Sequence, residues 1–152
     1  MRLSLRSTST RTFLAIPAVV LAEQALARRP VRPRWAGLMV WGYLQYRLAG
    51  RSRLARAGGP PGMSQGMPER LVTTGVYACT RNPMYLGHLI FLTGLTLATR
   101  SPVALATTAG LAHWFDERAR RDTARLDARF GPPYRQYAQR VPRWLPGLPT
   151  DR

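Results

Sequence analysis

Four apolar runs organise the chain, at 12–27, 35–49, 84–99 and 102–116, and the connections between them are polar or basic. Each run is about 15–16 residues, against the ~20 that usually carry a helix across a bilayer. Runs this short suit the core helices of a soluble protein as well as membrane spans. The charges separate the two readings. The arginines lie between and after the runs rather than at their centres, which is the layout of a multi-spanning protein with basic loops. The expected fold is therefore an all-α membrane protein in one domain, residues 1–152. It would have about four short transmembrane helices, then a C-terminal cytoplasmic helix and tail folding back on the membrane mouth.

The first run carries Pro17, tolerated in a span because neighbouring groups can satisfy the freed carbonyl. Its basic start and Ala25-Leu26-Ala27 also resemble a cleaved signal peptide. Around the second run, Trp35, Trp41, Tyr43 and Tyr46 suit a membrane–water boundary. Gly50 to Arg70 reads as a basic strip leading to a Gly/Pro loop at 58–62. Leu71 to Thr80 reads as an extended or re-entrant piece. Pro83 opens the third run, where its missing N–H breaks no helical bond. Gly87, Gly94 and Ala98 share one face of that helix, and Ala104, Thr108 and Ala112 one face of the next. Small residues allow close approach, so these two runs read as a packed antiparallel hairpin. Residues 116–130 read as a helix with the apolar stripe Phe115, Ala119, Leu126 and Phe130, stopped by Gly131 and Pro132-Pro133.

Charge changes the picture next. The chain has 23 basic residues, all arginine, against 7 acidic ones, for a net charge of +16. Such a balance suits nucleic acid, an anionic membrane face or an acidic substrate. Arginines grouped between apolar runs argue against a nucleic-acid module, which gathers them on one face of a mixed fold. With four spans, 18 arginines fall on the side of the termini, the 47–83 connection and the tail, and 5 on the other. The positive-inside bias then places both termini in the cytoplasm, in a membrane of bacterial cytoplasmic type. The single cysteine, Cys79, leaves no internal disulfide and no cysteine-based zinc cluster.

A few side chains are candidates for chemistry. Arg81 sits at the expected cytoplasmic mouth, either as a fork for a carboxylate or phosphate or as one more boundary charge. Tyr77 and Tyr85 flank it, as ligand contacts or as boundary tyrosines. With Phe115 at zero and ~100° per residue, Leu126 falls near about 20° and Asp122 near about 340°. That acid is inside the apolar stripe and needs a partner, which is either Arg118 one turn back or a bound ligand. His88 and His113 lie in apolar runs, and no set of acids and histidines has a metal spacing, so no metal is expected.

Two stretches carry a resemblance. Gly75-Val-Tyr77-Ala-Cys-Thr-Arg81-Asn82-Pro83-Met84-Tyr85-Leu86-Gly87 is similar to the Gly-x-Tyr…Arg-His-Pro-x-Tyr-x-Gly pattern of the isoprenylcysteine carboxyl methyltransferase and phospholipid methyltransferase group, small integral membrane enzymes. Leu126 to Arg143 resembles that group's ending, Leu-x-x-x-Phe-Gly-x-x-Tyr-x-x-Tyr…Val-Pro-Arg. The likeness covers residues 69–146. Asn82 stands where His is common. Asp122 and Thr123 stand where the group has a Glu-Glu pair, so the second acid is absent.

The resemblance implies a membrane methyltransferase that uses S-adenosylmethionine on a lipidic or prenyl-like acceptor. It is most like the isoprenylcysteine carboxyl enzymes, with phospholipid N-methylation or a non-catalytic membrane scaffold as alternatives. It implies a cofactor held by Tyr77, Arg81, Asn82, Pro83, Tyr85, Gly87 and Asp122. Arg140 and Arg143 are then candidates for positioning the acceptor. The implied partners are the bilayer and that acceptor.

Overall fold

The computed structural model of the protein describes residues 7–58 and 68–145, and within them every regular element is a helix. The Gly/Pro cluster from 59 on, Arg2, Arg6 and the tail beyond 145 lie outside the described residues.

Thr8–Thr10 and a π-helical turn, Arg11–Ala15, lead into α1, Ile16–Leu26. The wide turn comes just before Pro17. Proline offers no N–H to the carbonyl four residues back and its ring crowds that carbonyl. An i to i+5 bond from the Ile16 N–H to the Arg11 carbonyl makes room. A 3-10 turn at Pro33–Trp35 enters α2, Ala36–Ala57. This helix passes the expected end at 49 and takes in the basic strip as far as Ala57. Arg, Leu and Ala are good helix formers, and Gly50 costs only about 1 kcal/mol. The stop comes at Gly58, with φ +70°.

Helix α3 spans Pro83–Thr99 and α4 spans Pro102–Phe130. Ser101 caps α4, its Oγ accepting from the Ala104 N–H at 3.0 Å. The expected boundary at 116 is absent, because nothing between there and Phe130 breaks a helix. Two elements read from hydropathy are one helix of 29 residues. Gly131, at φ +56°, ends it, and Pro132 opens α5, Pro132–Arg140. That last helix lies in what the sequence suggested only as an aromatic, basic tail.

Among the described residues no helix is long and apolar enough to cross a membrane. The apolar α3 has 17 residues, about 25 Å at 1.5 Å per residue, against ~30 Å of hydrocarbon. Helices α2 and α4 are longer, but their second halves are rich in arginine.

The chain divides into two compact units, one from Met1–Leu44 and Gly87–His113, the other from Gln45–Leu86 and Trp114–Arg152. In the first, Val20, Leu95 and Ala104 form a core with Ile16 and Met39 against it. Phe13 stacks on His88 at 4.7 Å and meets Phe91 edge-on at 4.9 Å. On α3 the small residues are used differently from the expected hairpin. A Cβ on Gly94 would lie 2.8 Å from Met39 Cγ, and one on Gly42 2.7 Å from the Gly87 carbonyl. The small face of α3 therefore serves its crossing with α2. On α4 the expected face does serve the hairpin, because α3 and α4 meet through Leu95 and Ala104 and a Thr96–Thr108 hydrogen bond of 2.9 Å.

This first unit buries Thr12, Gln24, His88, Thr99 and Ser101, while Val19, Leu21, Val40, Trp41 and Leu105 are exposed. In the second unit Tyr134, Tyr137 and Val141 are buried with Leu71, Leu126 and Phe130 packed on them. Phe115 and Ala119 are also buried, so the stripe read from the 116–130 wheel is the inward face.

Candidate functional site

The second unit contains a cavity of about 330 Å³, at the small end of the range for ligand sites. Its wall is built from the end of α2, a strap at 68–82, the first turn of α3, one face of α4, and Tyr134 and Tyr137 of α5.

Local hydrogen bonds fix the strap. Arg56 donates to Ser52 Oγ at 3.0 Å and to the Thr74 carbonyl at 3.1 Å. Gly75 turns the chain there at φ +67°, and a side chain at 75 would run into the Arg56 guanidinium. The Tyr137 hydroxyl donates to the Tyr77 carbonyl at 2.7 Å. Further along, the Arg81 N–H bonds the Pro142 carbonyl at 2.9 Å. Thr80 Oγ1 and Asn82 Nδ2 both donate to the Arg143 carbonyl, at 3.0 and 3.1 Å. The Val-Pro-Arg segment of the tail thus acts as a backbone clamp on residues 80–82.

The two candidate ligand groups have different surroundings. Arg81 is half-buried, and its Nε is a buried donor with no hydrogen-bond partner among the described residues. Burying such a donor without an acceptor is costly, and a ligand carboxylate or phosphate would satisfy it. Asp122 accepts from the Tyr85 hydroxyl at 2.6 Å, and Arg118 Nε donates to that same hydroxyl at 3.0 Å. Arg125 Nη1 stands 3.8 Å from Asp122. Arg118 also lies over the Trp114 ring, 5.4 Å from its centroid. Thr123, next to Asp122, accepts a hydrogen bond from the Tyr134 hydroxyl at 3.2 Å.

Burial pushes the Tyr77 phenol up to about 12, an effect eased by the Arg53 charge. Burial also raises Tyr137 above the ordinary tyrosine range, with Tyr134 and Tyr77 adding to the shift and Arg81 opposing it. Both stay neutral donors at physiological pH. The pocket can therefore bind a zwitterion, with a donor for its anionic end, a carboxylate for its cationic end, and rings between. Among the described residues no three His, Cys, Asp or Glu side chains gather as a metal site.

Of the residues read from the sequence, Tyr77, Arg81, Asn82, Pro83, Tyr85 and Asp122 line this one cavity. Gly87 is at the crossing of α2 and α3 in the first unit. Arg140 lies on the exposed side of α5 and bonds the Gln136 carbonyl at 3.3 Å. Arg143 supplies its main-chain carbonyl to the clamp, and its guanidinium is 3.9 Å from Asp116. The cavity adds Arg53, Arg70, Arg125, Thr123, Leu126, Tyr134 and Tyr137. Tyr134 and Tyr137 were findable, because the Phe-Gly-x-x-Tyr-x-x-Tyr spacing puts both on one side of a short helix. Arg53 and Arg70 carried no signal that set them apart from the other arginines.

Comparison with known proteins adds an independent line. The profile of the family described as phospholipid methyltransferase matches residues 34–118. Protein-S-isoprenylcysteine O-methyltransferase B of Arabidopsis thaliana is 38% identical over 78 residues, which are 51% of this chain and 40% of the relative. Protein-S-isoprenylcysteine O-methyltransferase of Schizosaccharomyces pombe is 35% identical over 80 residues, 52% of this chain and 34% of the relative. The chain thus matches well under half the length of either relative.

Proposed function

Because this chain belongs to the phospholipid methyltransferase family, we propose that it is an S-adenosylmethionine-dependent methyltransferase acting at a membrane on a lipidic or apolar acceptor, in the manner of the isoprenylcysteine carboxyl enzymes. The observation that carries this reading is the pairing, in one cavity, of the unsatisfied Arg81 Nε with the Asp122 carboxylate. S-adenosylmethionine has a carboxylate for the first and positive charge for the second, so the residues fit it. When bound, it supplies an electrophilic methyl group on a sulfonium.

The protein's own part is positioning. Arg81 anchors a carboxylate, and the clamp from Thr80 and Asn82 to the tail fixes where that guanidinium stands. Tyr85 holds Asp122 in one orientation. Orientation of this kind is a major source of rate. A carboxylate acceptor needs no general base. An amine acceptor must first lose a proton, and Asp122, the pocket's carboxylate, already accepts a hydrogen bond from Tyr85. That favours carboxyl over phospholipid amine methylation.

The membrane location rests on two features. The first unit buries polar side chains and exposes Leu and Val, the inverse of a water-facing surface. The arginines concentrate on one side of the expected topology. Short apolar helices suit a locally thinned bilayer. With both termini cytoplasmic, the exposed Cys79 would react with an impermeant maleimide in inverted vesicles but not in intact cells. Labelling in intact cells would reverse the topology.

The function is tested with detergent-purified protein and methyl-labelled S-adenosylmethionine. Saturable binding below about 1 mM, lost in Arg81→Ala and Asp122→Ala while the fold persists, is the expected result. Absence of binding in the unaltered chain refutes the reading. Binding without transfer of label to any host lipid extract would instead mark a non-catalytic relative, the reading the absent second acid favours.

A further inference from the structure

The segment after α5, Val141-Pro142-Arg143-Trp144, is fixed at both of its ends within the second unit. At one end the Val141 side chain is buried with Tyr134 and Tyr137. At the other the Trp144 indole Nε1–H donates to Asp116 Oδ1 at 3.0 Å. Between these two points stand the carbonyls of Pro142 and Arg143, which accept from the Arg81 N–H, Thr80 Oγ1 and Asn82 Nδ2. Thr80 itself is buried, and its Oγ1 also accepts from the Asn82 N–H at 3.3 Å.

Asp116 stands on α4 and is not part of the cavity lining. Its Oδ2 accepts from Arg120 Nε at 2.9 Å, the i, i+4 contact that any exposed helical acid can make. Its Oδ1 is turned to the tail instead. It takes the Trp144 indole, 28 residues on, and lies 3.9 Å from Arg143 Nη1. The Arg143 side chain is 12% exposed, so this attraction is less screened than one at the surface.

We infer that Asp116 is a positioning residue for the methyl donor: by holding Trp144 and Arg143 it sets the register of the tail against residues 80–82, and so aims the Arg81 guanidinium at the donor's carboxylate. The main-chain N–H of Arg81 is itself one of the groups bound to the tail, so a shift of the tail moves the base of that side chain. A guanidinium fork meets a carboxylate well only in a narrow range of orientations. Releasing the Trp144 end therefore costs the carboxylate contact and leaves the rest of the donor's binding unchanged. This rests on the methyltransferase reading for the identity of the donor, but the anchoring of residues 80–82 does not.

The experiment uses the full chain in neutral detergent and two labelled probes, S-adenosylmethionine and its decarboxylated analogue, which lacks only the carboxylate. The ratio of their affinities reports the Arg81 contact. The unaltered chain should prefer S-adenosylmethionine by at least about tenfold, the size of a charge-assisted contact. Asp116→Ala and Trp144→Phe should each reduce that ratio by at least about fivefold, through S-adenosylmethionine alone. Asp116→Asn should keep part of it, because an amide oxygen still accepts from the indole. Glu117→Gln, the same loss of charge one residue along and at a group paired loosely with Arg121, should keep all of it. In a double-mutant cycle, Asp116→Ala should add nothing once Arg81 is alanine. Amide exchange at Arg81, followed by mass spectrometry on the fragment that carries it, should quicken about fivefold in Asp116→Ala.

An equal loss for both probes would make Asp116 a support of the fold and overturn the positioning role. So would additive effects in the cycle, or an equal change of the ratio in Glu117→Gln. If the unaltered chain binds neither probe, the methyltransferase reading falls, and amide exchange decides the anchoring by itself. Exchange at Arg81 that is unchanged in both Asp116→Ala and Trp144→Phe refutes the anchoring, whatever the donor does.

Discussion

The Tyr85 hydroxyl donates to the Asp122 carboxylate at 2.6 Å, across 37 residues of sequence. This bond ties the first turn of α3 to the middle of α4 and places the acid in the cavity. Asp122→Asn keeps the shape and removes the charge. Donor affinity should fall at least about tenfold, since a charge-assisted contact is worth roughly 1.5–3 kcal/mol. Tyr85→Phe should cost less, because the carboxylate remains but is no longer held. Equilibrium dialysis with labelled S-adenosylmethionine separates the two, and an Asp122→Asn protein that binds normally would remove Asp122 from the site.

Thr123 lines the same cavity beside Asp122. Thr123→Glu puts a second acid beside Asp122 in a cavity lined by five arginines. It gives up the Tyr134–Thr123 hydrogen bond of 3.2 Å, worth about 1 kcal/mol. Donor affinity should rise several-fold. A lower donor affinity at unchanged thermal stability would show that pocket charge does not limit binding.

Gly42 and Gly110 are two helical glycines with opposite surroundings. A Cβ on Gly42 meets the backbone of Phe91 and Gly87, whereas nothing lies within 4 Å of one on Gly110. Backbone cannot yield as a side-chain end can. Gly42→Ala should destabilise by about 1–3 kcal/mol, and Gly110→Ala should stabilise by about 0.5–1 kcal/mol. Thermal unfolding of both variants checks the pair. Equal effects would contradict the close approach of α2 and α3.

Tyr77 titrates near 12 in the fold instead of near 10. A raised folded pKa means that the stability conferred by the buried neutral phenol is complete below pH 10. It declines as the unfolded chain begins to ionise above pH 10, and the decline runs until the folded phenol itself ionises near 12. Melting temperature should therefore fall over this window, and Tyr77→Phe should flatten the fall. An unchanged alkaline profile in that variant would mean that Tyr77 is not the buried group.

Local chemistry was enough for the ends of several helices. Pro83 and Pro102 start helices because their missing N–H groups are not needed there, and Gly131 stops one because it accepts positive φ. The inward face of α4 was legible because an apolar stripe with period 3.6 must be buried, and Asp122 fell inside it. Hydropathy misplaced two boundaries for a physical reason. It reports where side chains prefer to be, and an arginine-rich segment can be as helical as an apolar one. Hence α2 runs on to Ala57 and α4 has no break at 116.

By itself the sequence determined the helical class, the charge asymmetry and a set of candidates around Arg81 and Asp122. Those follow from composition, periodicity and spacing, which are properties of short stretches. Only the tertiary structure decided which candidates share a cavity. It joined Tyr85 to Asp122, left Arg81 Nε without a hydrogen-bond partner among the described residues, brought Arg53 and Arg70 into the cavity wall, and sent Gly87 and Arg140 elsewhere. Contacts between residues tens of positions apart depend on how helices cross and on where a strap is pinned. Arg56 on Thr74, Tyr137 on Tyr77, and the tail on Thr80 and Asn82 set those positions, and no local pattern contains them.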